Sequence, residues 1–284
     1  MRTIKQQHQA VNAPIDDLVT YRVLPTPSIR HLDPFLFLNH HGPQVYPPHN
    51  HGLPFGPHPH RGFETVTFIL SGDIMHQDTG GYRSIIQSGG IQWMTAGSGL
   101  IHSEVSSPEF KRTGGALEIL QLWVNLPAKY KMTTPAYTGL QQSQIPTVSL
   151  DNDRVQINAI SGEWAGTSGA YQPLIDIQIA TIDFRSGGKL ELTIPALHTI
   201  FCYTIGGKLR VNGQEALART LTEFNDDGDK LQIEALTDAI LLLGHALPLG
   251  EPIVTAGPFV MNTEAEIQAA NQDYQAGKFG QWAD

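Results

Sequence analysis

Short stretches of alternating apolar and polar residues, each ended by a glycine- or proline-rich turn, recur along most of this chain. The 284 residues include 28 glycines and 19 prolines, which favours tight turns over long helices. Strands are predicted at residues 58–70, 74–77, 84–87, 91–95, 100–105 and 117–125, and again at 155–160, 175–184, 190–194, 200–205, 208–211 and 240–244. Turns spaced about every 8–12 residues are typical of an antiparallel sandwich or barrel.

The length of the chain predicts two domains, since single domains usually have about 100–200 residues. The domains are placed at residues 1–140 and 141–284, and weak similarity between the two sets of strands suggests an internal duplication. Residues 31–57, dense in proline and histidine, are predicted to form a long loop. Near the C-terminus, Thr263 and Glu266 fit a capping box, which predicts one terminal helix ending near Gly277.

Charge and composition argue against several classes of partner. The net charge of −9, with no run of Lys or Arg, disfavours direct binding of nucleic acid. No apolar run reaches the roughly 18–20 residues of a membrane span, and the first residues lack the apolar core of a secretory signal. The single cysteine, Cys202, cannot form an internal disulfide and is expected to be a buried strand residue. A soluble cytoplasmic protein is therefore predicted.

Two pairs of metal-binding side chains stand at i and i+2 spacing. His58 and His60 form the first pair, and His102 and Glu104 form the second. In an extended strand, such side chains point to the same face, so each pair can reach one ion. Three imidazole nitrogens and one carboxylate oxygen suit Fe(II), and also Mn, Ni, Cu or Zn. The alternative, that these histidines are simply solvated, is weakened by the repetition of the spacing.

Several other residues leave two interpretations open. Glu64 shares strand parity with His58 and His60, so it could face the same pocket or have a structural role. His76 could line the mouth of the pocket or be exposed on the surface. His198 is a lone histidine in the second half and is interpreted as structural. The histidines of the preceding loop could form a second metal site or a lid, or could simply be solvated; they are His40, His41, His49 and His51. Three further residues are expected to form core or pocket wall: Phe55, Trp93 and Met94.

Four long blocks resemble the pirin family of the cupin superfamily. They are residues 58–67, from His58-Pro59-His60, residues 91–104, ending in His102-Ser103-Glu104, and the blocks at 121–127 and 257–263. The resemblance implies an all-β bicupin: two antiparallel, jelly-roll β-barrel domains with a C-terminal helix. It also implies a monomer, in which His58, His60, His102 and Glu104 bind one metal ion, first expected to be Fe(II), and the second domain is metal-free. Glu64 would then support the site or be structural.

The resemblance implies two classes of function. The first is a metal-dependent dioxygenase of the quercetin 2,3-dioxygenase type, acting on a small aromatic, flavonol-like substrate, with Glu104 as the catalytic proton acceptor. The alternative is an iron-binding, redox-sensitive regulatory protein that binds a transcription factor or a metabolic enzyme. A third possibility is another small-molecule substrate, because fold and site do not determine one reaction.

Overall fold

The computed structural model describes residues 1–283 and consists mainly of β-strands, as predicted. The strands in chain order are β1 (Ile4–Gln9), β2 (Val11–Asn12), β3 (Thr20–Leu24), β4 (Phe35–Tyr46), β5 (Phe55–His60), β6 (Phe63–Ser71), β7 (Asp73–Asp78), β8 (Arg83–Gln87), β9 (Ile91–Thr95), β10 (Leu100–Val105), β11 (Gly115–Asn125), β12 (Ala136–Leu140), β13 (Thr147–Leu150), β14 (Val155–Ser161), β15 (Glu163–Trp164), β16 (Thr167–Ser168), β17 (Ile177–Phe184), β18 (Lys189–Thr193), β19 (Thr199–Gly206), β20 (Lys208–Val211), β21 (Gln214–Leu217), β22 (Thr220–Phe224), β23 (Lys230–Ala235), β24 (Ala239–Ala246), β25 (Val254–Ala256) and β26 (Phe259–Met261). The helices are α1 (Pro108–Thr113) and α2 (Glu264–Gln275), with 3₁₀ turns at Ala128–Tyr130 and Gln142–Gln144.

The chain divides into two compact units, each assembled from three segments. The N-terminal unit comprises Asn12–Arg22, Phe35–Ser143 and Leu249–Asp284. The C-terminal unit comprises Met1–Val11, Val23–Pro34 and Gln144–Pro248. Residues 1–11 therefore belong to the C-terminal unit and the segment that begins at Leu249 belongs to the N-terminal unit, whereas a division after residue 140 would exchange these assignments.

The two units repeat one topology. The large sheets have the orders β12-β9-β6-β11-β4-β3-β2 and β1-β22-β19-β24-β17-β14-β13, and the small sheets have the orders β5-β10-β7-β8 and β18-β23-β20-β21. Adding thirteen to each strand number of the first small sheet gives the second, and the same offset relates β9-β6-β11-β4 of the first large sheet to β22-β19-β24-β17 of the second. Strand β1 takes the place beside β22 that β12 takes beside β9. This correspondence supports the predicted duplication.

The predicted loop at residues 31–57 is wrong for its central part. Residues Phe35–Tyr46 form the twelve-residue strand β4, which pairs with β11 along its length. The apolar residues Phe35, Leu36 and Leu38 are buried, so burial in the sheet outweighs the turn-forming tendency of the prolines and glycines nearby. Within this region, residues 31–34 and 47–54 lie outside the strands.

Local predictions at the chain's end and at its cysteine agree with the structure. Thr263 caps α2, and both bonds of the capping box with Glu266 are present. Gly277 follows the helix with a φ of 73°, a conformation that favours glycine. Cys202 is fully buried in β19, and burial raises the pKa of its thiol to about 12. None of the helices in residues 1–283 is long and apolar enough to cross a membrane.

Candidate metal centre

Three of the four predicted ligands meet on two neighbouring strands of the small sheet in the N-terminal unit. Strands β5 and β10 pair antiparallel with His102 opposite His58 and Leu100 opposite His60. Residues directly opposite each other in a sheet point to the same face, so the three imidazoles converge. One nitrogen from each of His58, His60 and His102 lies within 4.8 Å of the other two. These three histidines form a cluster that could hold a metal ion.

The hydrogen bonds of the cluster fit a metal ion. The Nδ1 atoms of His58 and His60 lie 2.7 Å from the carbonyl oxygen of Gly56 and 3.2 Å from that of Pro258. Because a carbonyl oxygen only accepts, both Nδ1 atoms carry the proton and both Nε2 atoms keep a free lone pair. Both nitrogens of His102 are buried and have no hydrogen-bond partner within residues 1–283. A bound ion would satisfy one of these nitrogens.

Burial keeps the imidazoles of His60 and His102 in the neutral form that binds metals. It lowers the pKa of His60 to about 3, with a smaller contribution from His58. The pKa of His102 is also lowered well below its ordinary value, first by burial and then by the neighbouring histidines. A metal ligand must be deprotonated, so these two histidines need to release no proton at neutral pH to bind an ion.

Glu104 lies two residues after His102 on β10, but its carboxylate lies outside the group of three ligand atoms. One carboxylate oxygen accepts hydrogen bonds from Thr67 Oγ1, at 2.9 Å, and from Gln92 Nε2. The other accepts a hydrogen bond from Gln121 Nε2. These three donors hold the carboxylate between the two sheets of the unit. Metal ligation by Glu104 therefore stays a prediction.

Glu64 does not share a face with the cluster. The strand predicted from residue 58 to residue 70 is interrupted after His60 by Gly62, whose φ is 88°, so strand parity is not carried across this point. Thr67 contacts Glu104, and Glu64, three residues earlier, points to the opposite side of β6. There its carboxylate accepts a hydrogen bond from Thr95 Oγ1 at 2.6 Å. The structural interpretation of Glu64 fits this position.

Aromatic side chains cover one side of His60. The ring centroids of Phe63 and Trp123 lie 5.0 Å and 5.4 Å from that of His60, and they lie 4.4 Å from each other. Of the two interpretations of Phe55, Trp93 and Met94, core fits better: Trp93 and Met94 are buried strand residues, and Phe55 packs against the apolar core of the unit. The position of Phe63 and Trp123 beside His60 could be predicted only by knowing how β6 and β11 of the large sheet pack against β5.

The four histidines before the first motif do not gather into a second metal site. His40 and His41 are buried on β4, where His40 Nε2 lies 2.8 Å from a Glu118 oxygen and His41 Nδ1 lies 2.8 Å from Thr20 Oγ1. His49 and His51 are exposed, in line with the solvated interpretation.

His76 is fully buried, so the expectation of an exposed position is wrong. Its Nε2 lies 2.9 Å from Asp78 Oδ2, and its ring stacks on Tyr137 with centroids 3.8 Å apart. The His76 ring centroid is 5.5 Å from that of His102. The sequence contained a signal for this pair, because His76 and Asp78 repeat the i and i+2 spacing of the ligand motifs. Thr67, Gln92, Gln121 and Tyr137, which complete the surroundings, carry no such signal.

The corresponding strands of the C-terminal unit carry apolar side chains. On β18 and β23, Leu190 lies opposite Ile233 and Leu192 lies opposite Leu231. Leu190, Leu231 and Ile233 are buried in the core of that unit. His198 lies before β19, and its Nδ1 is 3.0 Å from Nδ1 of His245.

Comparisons with known proteins identify similar chains over almost the full length. A family model described as pirin matches residues 17–124, and a model of the pirin C-terminal cupin domain matches residues 179–280. A Pseudomonas aeruginosa protein with the provisional name quercetin 2,3-dioxygenase is 36% identical over 266 residues, which are 94% of this chain and 92% of that protein. A pirin-like protein of Caulobacter vibrioides is 36% identical over 262 residues, 91% of each chain.

A solved structure shows the same architecture. The crystal structure of quercetin 2,3-dioxygenase from Acinetobacter baumannii at 1.88 Å resolution superposes with a TM-score of 0.93 and 35% sequence identity, and the match covers 99% of each chain. Together with the matched cupin domain, this likeness confirms the predicted bicupin fold.

Proposed function

Because this chain belongs to the pirin family, we propose that it is a metal-dependent dioxygenase of the quercetin 2,3-dioxygenase type, which uses O₂ to open a flavonol ring. The observation that carries the proposal is the cluster of His58, His60 and His102, in which backbone carbonyls fix two imidazoles with their Nε2 lone pairs free. Relatives named for this activity, with 35% and 36% identity over nearly the whole chain, support the choice of substrate class.

The three histidines would hold a transition-metal ion, which we propose to be Fe(II), with Glu104 as the fourth ligand. Mixed imidazole and carboxylate donors suit Fe(II), although Mn, Ni, Cu and Zn share these preferences. A bound ion would supply Lewis-acid chemistry, which would lower the pKa of the flavonol hydroxyl.

The side chains around the cluster would bind the flavonol and accept its proton. Trp123 is half-buried beside His60 and offers aromatic surface against which a planar ring can pack and exclude water, and the buried Phe63 packs against its ring. Glu104 is held in place by donors from Thr67 and from two glutamines, and it would accept the proton of the flavonol hydroxyl.

The first test is the activity of iron-loaded protein. We expect protein expressed in iron-supplemented medium to contain about one metal ion per chain and to consume quercetin and O₂ together. His60→Ala removes a buried ligand and should abolish both the bound metal and the turnover. Metal content by mass spectrometry, quercetin absorbance and oxygen-electrode traces provide the measurements.

The other outcomes of this test distinguish the alternatives. Stoichiometric metal without quercetin loss would favour the regulatory binding protein, and capture of a protein partner would then be the next experiment. Failure to bind any metal after reconstitution would contradict the proposed metal centre itself.

A second prediction separates metal binding from proton transfer. Glu104→Ala should leave part of the metal bound, because three histidines remain, but should lower turnover by at least about 100-fold, the usual range for loss of a general base. Glu109→Ala is a matched control, since the Glu109 side chain is 68% exposed and pairs only with Arg112 in the described structure. Full activity in metal-loaded Glu104→Ala would refute the proton-acceptor role.

A further inference from the structure

His76 lies on the same inner face of the small sheet as the histidine cluster. On β7, His76 is directly opposite Glu104 of β10 on one side and Ser84 of β8 on the other. Residue Asp78 of β7 is opposite His102, which is itself opposite His58. Directly opposite residues share a face, so His76 belongs to the row next to the predicted ligands.

The bond to Asp78 fixes the tautomer of this imidazole. The Asp78 carboxylate is buried, and its Oδ2 lies 2.9 Å from His76 Nε2, so Nε2 carries the proton and donates it. In the neutral ring, Nδ1 is then a bare acceptor. The same carboxylate accepts a hydrogen bond from the backbone of Tyr82 through Oδ1, which holds it in place.

The orientation of the ring is also fixed. His76 stacks on Tyr137 with an interplanar angle of 9°. The Tyr137 hydroxyl lies 2.5 Å from Ser84 Oγ and donates to Gln92 Oε1 at 3.2 Å. Gln92 in turn donates to Glu104, so one chain of contacts links the ring of His76 to the proposed proton acceptor.

The second ring nitrogen of His76, Nδ1, is buried and has no hydrogen-bond partner among residues 1–283. Buried polar atoms in native proteins nearly always have a partner, and an exception calls for a water, an ion or a ligand. His76 Nδ1 lies outside the group of three histidine nitrogens that are within 4.8 Å of one another.

We propose that His76 is a substrate-binding residue whose Nδ1 accepts a hydrogen bond from a hydroxyl group of the ligand at the histidine cluster, with Asp78 as the residue that positions it. This inference rests on the proposed function, because it takes the ligand to be a hydroxylated aromatic molecule. A site built to bond a hydroxyl discriminates strongly against an analogue that lacks it, since the buried acceptor is then left unpaired. His76 therefore selects among hydroxylation patterns.

Two substitutions divide the functions of the ring. His76→Gln can keep the bond to Asp78 through its amide N–H but places no acceptor at the position of Nδ1. His76→Asn keeps an acceptor near the Nδ1 position and loses the bond to Asp78. The dissociation constant for quercetin is measured by titration of iron(II)-loaded protein without oxygen, for the wild type and both variants, together with metal content.

The analogues of quercetin that each lack one hydroxyl complete this experiment. We expect His76→Gln to weaken quercetin binding roughly tenfold, the value of one hydrogen bond, and to cause no loss for the one analogue that lacks the bonded hydroxyl. His76→Asn should recover part of the affinity, and both variants should retain the metal. An equal loss for every analogue, or no loss for any, would overturn the inference while leaving the proposed function in place. Failure of the wild-type protein to bind quercetin would overturn both.

A measurement without ligand tests the tautomer. In metal-free protein labelled with ¹⁵N, we expect the His76 Nε2 resonance to be that of a protonated nitrogen and the Nδ1 resonance to be that of a bare one. Asp78→Asn can donate to Nε2 and should move the proton to Nδ1, exchanging the two signals. A protonated Nδ1 in the wild-type protein would contradict the inference regardless of any flavonol result.

Discussion

Buried histidines in this chain differ in what their nitrogens contact, and this difference reveals their roles better than burial alone. Both ring nitrogens of His8 are hydrogen-bonded, one to Ser28 and the other to Glu223. Both nitrogens of His102 are unpartnered within residues 1–283, although the two side chains are equally buried. His8 therefore stabilises its strand, whereas His102 is available to a ligand. The spacing of two residues between His102 and Glu104 identifies His102 as a candidate ligand, but it cannot show which of its nitrogens are free.

A buried carboxyl gives a prediction at the same scale. Burial raises the pKa of Glu64 to about 7 in the folded protein, against the opposing effect of hydrogen bonds from Thr95 and Trp93. The unfolded chain has the ordinary value of 4.5. Between these values the folded state binds more protons than the unfolded state, so stability falls as the pH rises through about 7.

The difference between wild-type protein and Glu64→Gln isolates this effect, because the histidines titrate equally in both. From pH 5 to pH 8, we expect the wild type to lose about 2–3 kcal/mol of unfolding free energy relative to Glu64→Gln. Guanidinium denaturation of metal-free protein at the two pH values measures the difference. A constant difference between the two proteins would show that Glu64 does not titrate in this range.

At the scale of the strand, the connection between β5 and β6 determines which side chains reach the site. A Cβ atom on Gly62 would lie 2.1 Å from the carbonyl oxygen of Val260, and the positive φ of Gly62 is itself unfavourable for other residues. Arg61 is also held here, by an ion pair of 2.9 Å with Asp273. The turn brings Phe63 towards His60 and directs Glu64 to the opposite face. Alternation along the sequence predicts faces only within one uninterrupted strand.

Elements formed by contacts between residues close in the sequence are predicted more accurately than elements formed by contacts between distant residues. Strands β9, β10 and β20 begin and end at the predicted residues, since their patterns are clear and their turns are close. The capping box of α2 involves residues only three apart and was also predicted. Strand β4 was missed because its stability comes from pairing with β11, about 80 residues later. The donors to Glu104 were missed for the same reason.

For the whole molecule, the first residues of the chain complete the C-terminal unit, and Arg2 anchors them. The Arg2 side chain is 1% exposed and donates to the carbonyl oxygens of Asn225 and Ala196 and to the carboxylate of Asp226. We expect Arg2→Ala to lower the free energy of unfolding by about 1.5–3 kcal/mol, since the hydrogen bonds of a buried charged group are lost.

Hydrogen exchange read by peptide mass spectrometry localises this loss, and we expect faster exchange in β22, the partner of β1. Lys5→Ala is the matched control on the same strand. The Lys5 side chain is 59% exposed and pairs with Glu223 at 2.8 Å, and such surface pairs contribute about 0–1 kcal/mol. Equal exchange in the two variants would mean that Arg2 does not anchor the strand.

The pairing of β1 with β22 also means that β1 is synthesised long before its partner strand. Gln9 lies opposite Thr220, so the ribosome must add more than two hundred residues after β1 before its partner exists. At roughly 5–20 residues per second, β1 waits about 10–40 seconds with its backbone unpaired. Its residues, Ile-Lys-Gln-Gln-His-Gln, are mostly polar, which makes the waiting strand a poor seed for aggregation. Strand β1 can therefore stay solvated in the nascent chain until β22 has been translated.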